Sequence, residues 1–250
     1  CAFCRSGRAN LCDDRRVLGV SCGEYRRHGC FAEYVSVPAR GVHRLPGDLP
    51  LEQAALIEPV SVAVHAVGRS GVTPTDTAVV VGAGMIGLLV VQALRAAGCR
   101  SVVAVDVDPA KLDWARRFGA AEAFAAGSAA AEVRRITEGR GADVALDCVG
   151  VSESLQTAVA CVRKGGAVTL VGNITPSVGL PLQAVVASEL TLVGTCASNG
   201  EYPRAIELMG RREIDVTPLI SLVAPLAEGP SLFDRLYARE PGLMKVVLQP

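Results

Sequence analysis

The feature that most constrains this chain is a glycine turn set between two apolar runs. Ala78–Val81 leads straight into Gly82-Ala83-Gly84-Met85-Ile86-Gly87, and an aliphatic stretch follows to Ala97. A G-x-G-x-x-G tract alone carries little weight, because glycine-rich chains match it by chance. It gains meaning where it closes a strand and opens a helix, which is the context these residues predict. Gly82 permits a tight turn, Gly84 lets the backbone approach a pyrophosphate, and Gly87 lets helix and strand pack closely. The free N–H groups at the start of the helix then face the phosphates.

The rest of the chain extends this unit. Apolar runs at Ala78–Val81, Val102–Val105, Val144–Leu146, Ala167–Val171 and Leu190–Val193 read as buried strands, with a weaker candidate at Ala121–Phe124. Helical segments Met85–Ala97, Pro109–Phe118, Ala129–Thr137, Glu153–Val162 and Pro203–Gly210 alternate with them. Strict alternation implies βαβ units and a doubly wound parallel sheet. Asp108 is the expected N-cap of the second helix, with Pro109 at its first position and Gly119 beyond its end. Leu112, Ala115 and Phe118 share its buried face. Ser128 and Ser152 are the expected caps of two later helices.

Asp106 ends the second strand. A carboxylate at that point accepts both hydroxyls of an adenosine ribose and repels a 2′-phosphate. The sequence offers Asp106-Val107-Asp108, and Asp108 is committed to the helix cap, so Asp106 takes the ribose. The cofactor expected is NAD, not NADP.

Composition narrows the class further. Half of the 250 residues are hydrophobic, 20% are charged and only 4% are aromatic, which suits a parallel sheet covered on both faces. The formal net charge is +0, so no overall field recruits nucleic acid or anionic lipid. The most apolar stretch, Ala78–Val91, falls short of the roughly 18 residues of a membrane span and is broken by glycines. No signal peptide opens the sequence, and a cytoplasmic protein with no membrane partner is expected.

Six of the nine cysteines (Cys22, Cys30, Cys99, Cys148, Cys161, Cys196) lie scattered among apolar or glycine-rich neighbours and read as small hydrophobic residues in a reducing compartment. Cys1, Cys4 and Cys12 are clustered. Their spacing has the shape of three consecutive ligands of a four-cysteine zinc loop, a closed structural site; an iron–sulfur cluster needs the same set. The sequence opens inside this motif, and the expectation is that an N-terminal portion precedes it.

The first 50 residues mix Gly, Arg and Pro with short alternating stretches such as Phe31–Val37 and read as irregular β structure. Leu51–Gly68 reads as one helix, and Met244–Leu248 as a last strand outside the alternating pattern. Both ends are expected to form a second domain, discontinuous in sequence.

With these pieces together, the chain resembles the zinc-dependent medium-chain alcohol dehydrogenases, most closely the sorbitol, polyol and threonine dehydrogenase branch. The resemblance rests on Cys1–Cys4 through Asn10-Leu11-Cys12, Phe31-Ala32-Glu33-Tyr34-Val35, Leu56-Ile57-Glu58-Pro59-Val60-Ser61-Val62, Gly82–Gly87 and Lys245-Val246-Val247. It implies an α/β fold: a doubly wound Rossmann domain at 66–216, inserted into a GroES-like β-rich catalytic domain formed by 1–65 and 217–250. It implies zinc held by Cys1, Cys4 and Cys12, with the first cysteine of that loop three residues before Cys1. The catalytic zinc ligands of the family, a Cys and a His-Glu pair, would lie further upstream. His28, His43 and His65 match none of them and read as surface or packing residues.

Glu58 matches a carboxylate that lies at the catalytic zinc in this branch, binding it directly or through its water, and is both catalytic and metal candidate. By the same resemblance Ile86 packs under the pyrophosphate turn and Lys111 sits near the adenosine ribose. Val149, Val171, Gly172 and Asn173 lie where the nicotinamide rests, with Thr195 and Cys196 of the same kind. Ala197 departs from animal sorbitol dehydrogenases, which have an arginine there.

The implied reaction is oxidation of a secondary alcohol or polyol to the ketone, with zinc as Lewis acid and hydride passing to NAD. A homo-oligomer, dimer or tetramer, is the family's habit. This stretch of chain by itself is expected to bind NAD weakly at best and not to turn over. Two competing readings are a non-catalytic NAD-binding or redox-sensing module, and a zinc-free quinone reductase of the same superfamily; Cys1–Cys12 and Asp106 speak against the second. A zinc-dependent nucleic-acid binder is poorly served by the neutral charge.

Overall fold

The computed structural model describes residues 1–20 and 26–250. Cys22 therefore lies outside the described residues.

The predicted alternation is present. In chain order the principal elements are α1 (Ile57–Ser70), β1 (Thr77–Val81), α2 (Met85–Ala96), β2 (Ser101–Asp106), α3 (Pro109–Arg117), β3 (Glu122–Ala125), α4 (Ala129–Ile136), β4 (Ala142–Asp147), α5 (Ser152–Cys161), β5 (Val162–Leu170), α6 (Leu182–Ala187), β6 (Thr191–Gly194) and α7 (Tyr202–Gly210). The six strands form one parallel sheet in the order β3-β2-β1-β4-β5-β6. The order reverses between β1 and β4, which opens a crevice beyond their carboxyl ends.

Alternation along each strand divides the core in two. Ala78, Val80, Val102, Ala104, Val144 and Leu146 pack toward α1, α2, α3 and α7. Val79, Val81, Val103, Val105 and Ala145 face α4 and α5 on the opposite side. Strands buried on both faces explain why these runs are continuously aliphatic.

Local signals account for the ends of α3. Asp108 accepts the Ala110 N–H at 3.0 Å, Pro109 opens the helix, and Gly119 takes φ +97° beyond it. Leu112, Ala115 and Phe118 are buried, as their spacing predicts. Two caps differ from expectation. The Ser128 hydroxyl donates back to the Ala125 carbonyl instead of accepting from its own helix. Val151, not Ser152, precedes α5; Ser154 Oγ accepts the Val151 N–H, while Ser152 Oγ accepts the Gly179 N–H.

The flanks depart more. Leu51–Gly68 is not one helix: a short helix Leu51–Ala54 ends in a turn before α1 begins. Phe31–Val37 forms no strand, and Phe31 and Tyr34 are 69% and 89% exposed. Among the described residues before α1, the strands are the two-residue pieces Val17–Leu18 and Arg26–Arg27. The tail is richer than expected. After α7 come β7 (Ile220–Pro225), α8 (Gly229–Tyr237) and β8 (Lys245–Gln249), the two strands pairing in parallel. Among the described residues no helix is long and apolar enough to cross a membrane.

Candidate active site

The glycine turn is as tight as its sequence demands. Gly82 has φ +95°, and a Cβ on Gly87 would stand 1.7 Å from the Gly82 carbonyl oxygen, so the first turn of α2 lies directly against the end of β1. A Cβ on Gly84 would meet nothing within 4 Å. The backbone at the N-terminus of α2 is therefore open to a ligand, as a pyrophosphate requires. Ile86 is partly buried against the core below.

Asp106 ties the end of β2 to that turn. Its carboxylate accepts the Ala83 N–H at 2.7 Å and the Asp108 N–H at 2.9 Å. It borders a cavity of about 250 Å³ shared with Gly82, Lys111, Val149, Glu153 and Thr157. Each carboxylate oxygen keeps a lone pair for a further donor, the chemistry a ribose diol needs. Asp106 and Lys111, expected at the adenosine ribose, thus share one cavity with Gly82 of the pyrophosphate turn and with Val149, expected at the nicotinamide.

The strand ends beyond the crevice are also close. A Cβ on Gly172 would lie 2.3 Å from the backbone of Val149, so β4 and β5 leave their sheet side by side. Val171 and Gly172 donate their N–H groups to the Asp147 carbonyl, and Asn173 follows in the loop. Sequence reasoning missed Asp147. Buried at 2% exposure, its carboxylate accepts the Val149 and Gly150 N–H groups and the Ser154 hydroxyl, fixing the floor of this crevice. A polar residue ending a β-strand, like Asp106, was the available signal.

Thr195 and Cys196 border a different cavity, of about 470 Å³, with Arg8, His65, Arg69 and Asn199. Here long-range contacts dock the cysteine loop on the sheet. Asn10 Nδ2 donates to the Cys196 carbonyl at 3.0 Å, Asn199 Nδ2 donates to the Gly7 carbonyl at 2.8 Å, and Arg15 reaches Cys196 Sγ at 3.0 Å. His65 Nδ1 lies 2.8 Å from Glu201, a more specific role than surface or packing. His43 stacks on Tyr202, and His28 is exposed. Of the scattered cysteines, Cys161 is buried, Cys99, Cys148 and Cys196 are partly buried, and Cys30 is exposed, so the small-hydrophobic reading fails for Cys30.

Glu58 sits in the first turn of α1, on a larger cleft of about 750 Å³ bordered also by Arg15, Ala197 and Tyr202. Solvent reaches the side chain through the cleft. The protein around it still raises its carboxyl above the ordinary range by desolvation, opposed by Lys245 of β8. Ala197 holds φ +51°, a left-handed conformation unfavourable for alanine, at the wall of this cleft.

The cysteine cluster forms. Cys1 Sγ lies 3.7 Å from Cys4 Sγ and 4.0 Å from Cys12 Sγ. Tetrahedral zinc with bonds of about 2.3 Å has sulfur–sulfur edges of about 3.8 Å, so three vertices fit. This is the only such gathering of three or more His, Cys, Asp or Glu among the described residues; none forms at Glu58.

A doubly wound sheet, an open glycine turn and an acidic residue at the second strand define a dinucleotide-dependent enzyme, here with a thiolate metal loop attached. Residues 86–211 match the family model of zinc-binding dehydrogenases, and residues 1–47 match the alcohol dehydrogenase GroES-like domain. A probable D-xylulose reductase A of Arthroderma otae is 34% identical over 245 residues, covering 95% of this chain and 68% of that protein. Sorbitol dehydrogenase of Bacillus subtilis is 30% identical over 253 residues, covering 100% and 70%. A crystal structure of a zinc-binding dehydrogenase from Sinorhizobium meliloti 1021, bound to NADP, has TM-score 0.86 and 30% identity, covering 100% of this chain and 73% of that one. The chain belongs to the zinc-binding dehydrogenases, in the polyol branch of the medium-chain alcohol dehydrogenases. It is an oxidoreductase whose cofactors are a nicotinamide dinucleotide and zinc.

Proposed function

We propose that this protein oxidises a secondary alcohol or polyol with NAD, as a cytoplasmic homo-oligomer, using residues 66–216 as the dinucleotide domain and 1–65 with 217–250 as the catalytic domain. The observation that carries the NAD assignment is Asp106. It borders the adenosine cavity, hydrogen-bonded to the turn that receives the pyrophosphate, and its negative charge opposes a ribose 2′-phosphate. A similar structure binds NADP, so the choice rests on this chain's own residue. The xylulose reductase and sorbitol dehydrogenase names support a polyol substrate.

When bound, NAD supplies the hydride acceptor and zinc the Lewis acid. Val149, Val171, Gly172 and Asn173 wall the nicotinamide side of the crevice. Thr195 and Cys196 belong to the neighbouring cavity on the cysteine-loop side. Glu58 is the one donor these residues bring to the catalytic metal, and Cys1, Cys4 and Cys12 hold the structural one.

The test is zinc content and NAD-dependent oxidation of a polyol panel, on the full-length protein. Two zincs per subunit and NADH formation with a polyol are the expected outcome. NAD binding without turnover of any alcohol would overturn it.

A further inference from the structure

The adenosine cavity and the Glu58 cleft differ in charge. The adenosine cavity is bordered by Asp106, Glu153 and Lys111. Among the described residues, the 750 Å³ cleft that holds Glu58 is bordered by four arginines, Arg15, Arg16, Arg27 and Arg40, against that one carboxylate. The whole chain has a formal net charge of +0, so this is a local concentration of cations.

The four guanidiniums are not equally free. Arg15 is engaged with Asn10 and Cys196, and Arg16 pairs with Asp14 at 3.1 Å. Among the described residues Arg27 and Arg40 have no ion-pair partner, and both are exposed to the cleft. A cleft bordered by one sign of charge focuses its field and concentrates the opposite sign. The planar guanidinium fork fits a carboxylate or phosphate better than it fits a hydroxyl. The cofactor pyrophosphate does not account for them, because no residue of the Gly82–Gly87 turn borders this cleft.

We propose that the alcohol oxidised here is itself anionic, a polyol bearing a carboxylate or phosphate that Arg27 and Arg40 receive while its reacting carbinol lies toward Glu58. The inference rests on the dehydrogenase reading above and narrows its substrate class.

The experiment compares sorbitol, gluconate and sorbitol 6-phosphate as substrates of the full-length, zinc-loaded enzyme with NAD. One anionic probe should exceed sorbitol in kcat/KM by about tenfold or more, and which one does so separates carboxylate from phosphate. That advantage should shrink as salt rises, through KM, while the sorbitol KM stays constant. The double variant Arg27→Gln/Arg40→Gln should lose most of the advantage without changing the KM for NAD. If the variant fails to fold, the salt dependence of the unaltered enzyme still decides. Equal or better use of sorbitol overturns the proposal and leaves the dehydrogenase reading intact, as does a variant whose NAD KM rises while its anionic preference remains. If no probe is turned over, calorimetric titration of gluconate and sorbitol 6-phosphate decides: binding lost in the double variant supports the proposal, and no binding overturns it.

Discussion

The six-stranded sheet and the first 50 residues hold their structure by different means. In the sheet, the central strands β1, β2 and β4 pair on both sides and bury both faces, so Val79, Val80, Val103 and Leu146 are wholly inaccessible. In the first 50 residues the only buried hydrophobic among the described residues is Leu49, while Phe31, Tyr34, Val35 and Val42 are exposed. This segment is anchored through polar side chains that reach the loop after β6, with Asn10, Arg15 and Asn199 as the main links. The sheet is a product of pattern, and the flank is a product of specific long-range contacts.

That contrast can be broken at its tightest point. Gly87→Val should cost about 4 kcal/mol and abolish cofactor binding, because its Cβ meets the Gly82 carbonyl, which cannot give way without moving β1. Urea unfolding with a parallel NAD titration measures both effects.

A matched pair sharpens it. Leu146→Ala removes a fully buried side chain and should cost about 3 kcal/mol. Tyr34→Ala, at 89% exposure, should change stability by less than about 0.5 kcal/mol. Equal losses in denaturant melts would contradict the division drawn here.

A smaller effect tests the polar end of the sheet. Asp143 accepts the Thr77 N–H at 2.9 Å and pairs with Arg140 and Arg163. Burial alone would raise its carboxyl, but the Arg163, Thr77 and Arg140 hydrogen bonds outweigh it and hold the value at about 2, from an ordinary 3.8. A depressed carboxylate stabilises the fold above its unfolded value, and that stabilisation is lost as pH falls from near 4 through about 2. Asp143→Asn should cost about 2 kcal/mol at neutral pH and flatten this acid limb in pH-dependent melts.

Legibility in the sequence follows the same division. Strand positions, the glycine turn and the Asp108 cap depend on residues close in sequence, and the structure has them within a residue or two of expectation, except that β5 starts at Val162 and not at Ala167. The break before α1, the serine caps and the loose Phe31–Val37 segment depend on surroundings that period does not encode. For the site, Gly82 and Asp106 were legible because each ends or follows a strand of the pattern, while Lys111 and Val149 came from the family resemblance alone. His65 with Glu201, and Arg15 with Cys196, lie far apart in the chain, and no local signal joins them. The arginines of the Glu58 cleft were visible as composition only; their convergence needed the fold.

The most direct test of the account is cofactor discrimination by titration of NAD and NADP against the full-length protein and its Asp106→Asn variant. Asparagine keeps an acceptor for the Ala83 N–H and removes the charge. The unaltered protein should bind NAD more tightly than NADP by about a hundredfold, through like-charge repulsion of the 2′-phosphate, and the variant should lose most of that gap. Equal affinities in the unaltered protein, or a preference for NADP, would contradict the assignment of Asp106 and the cofactor with it.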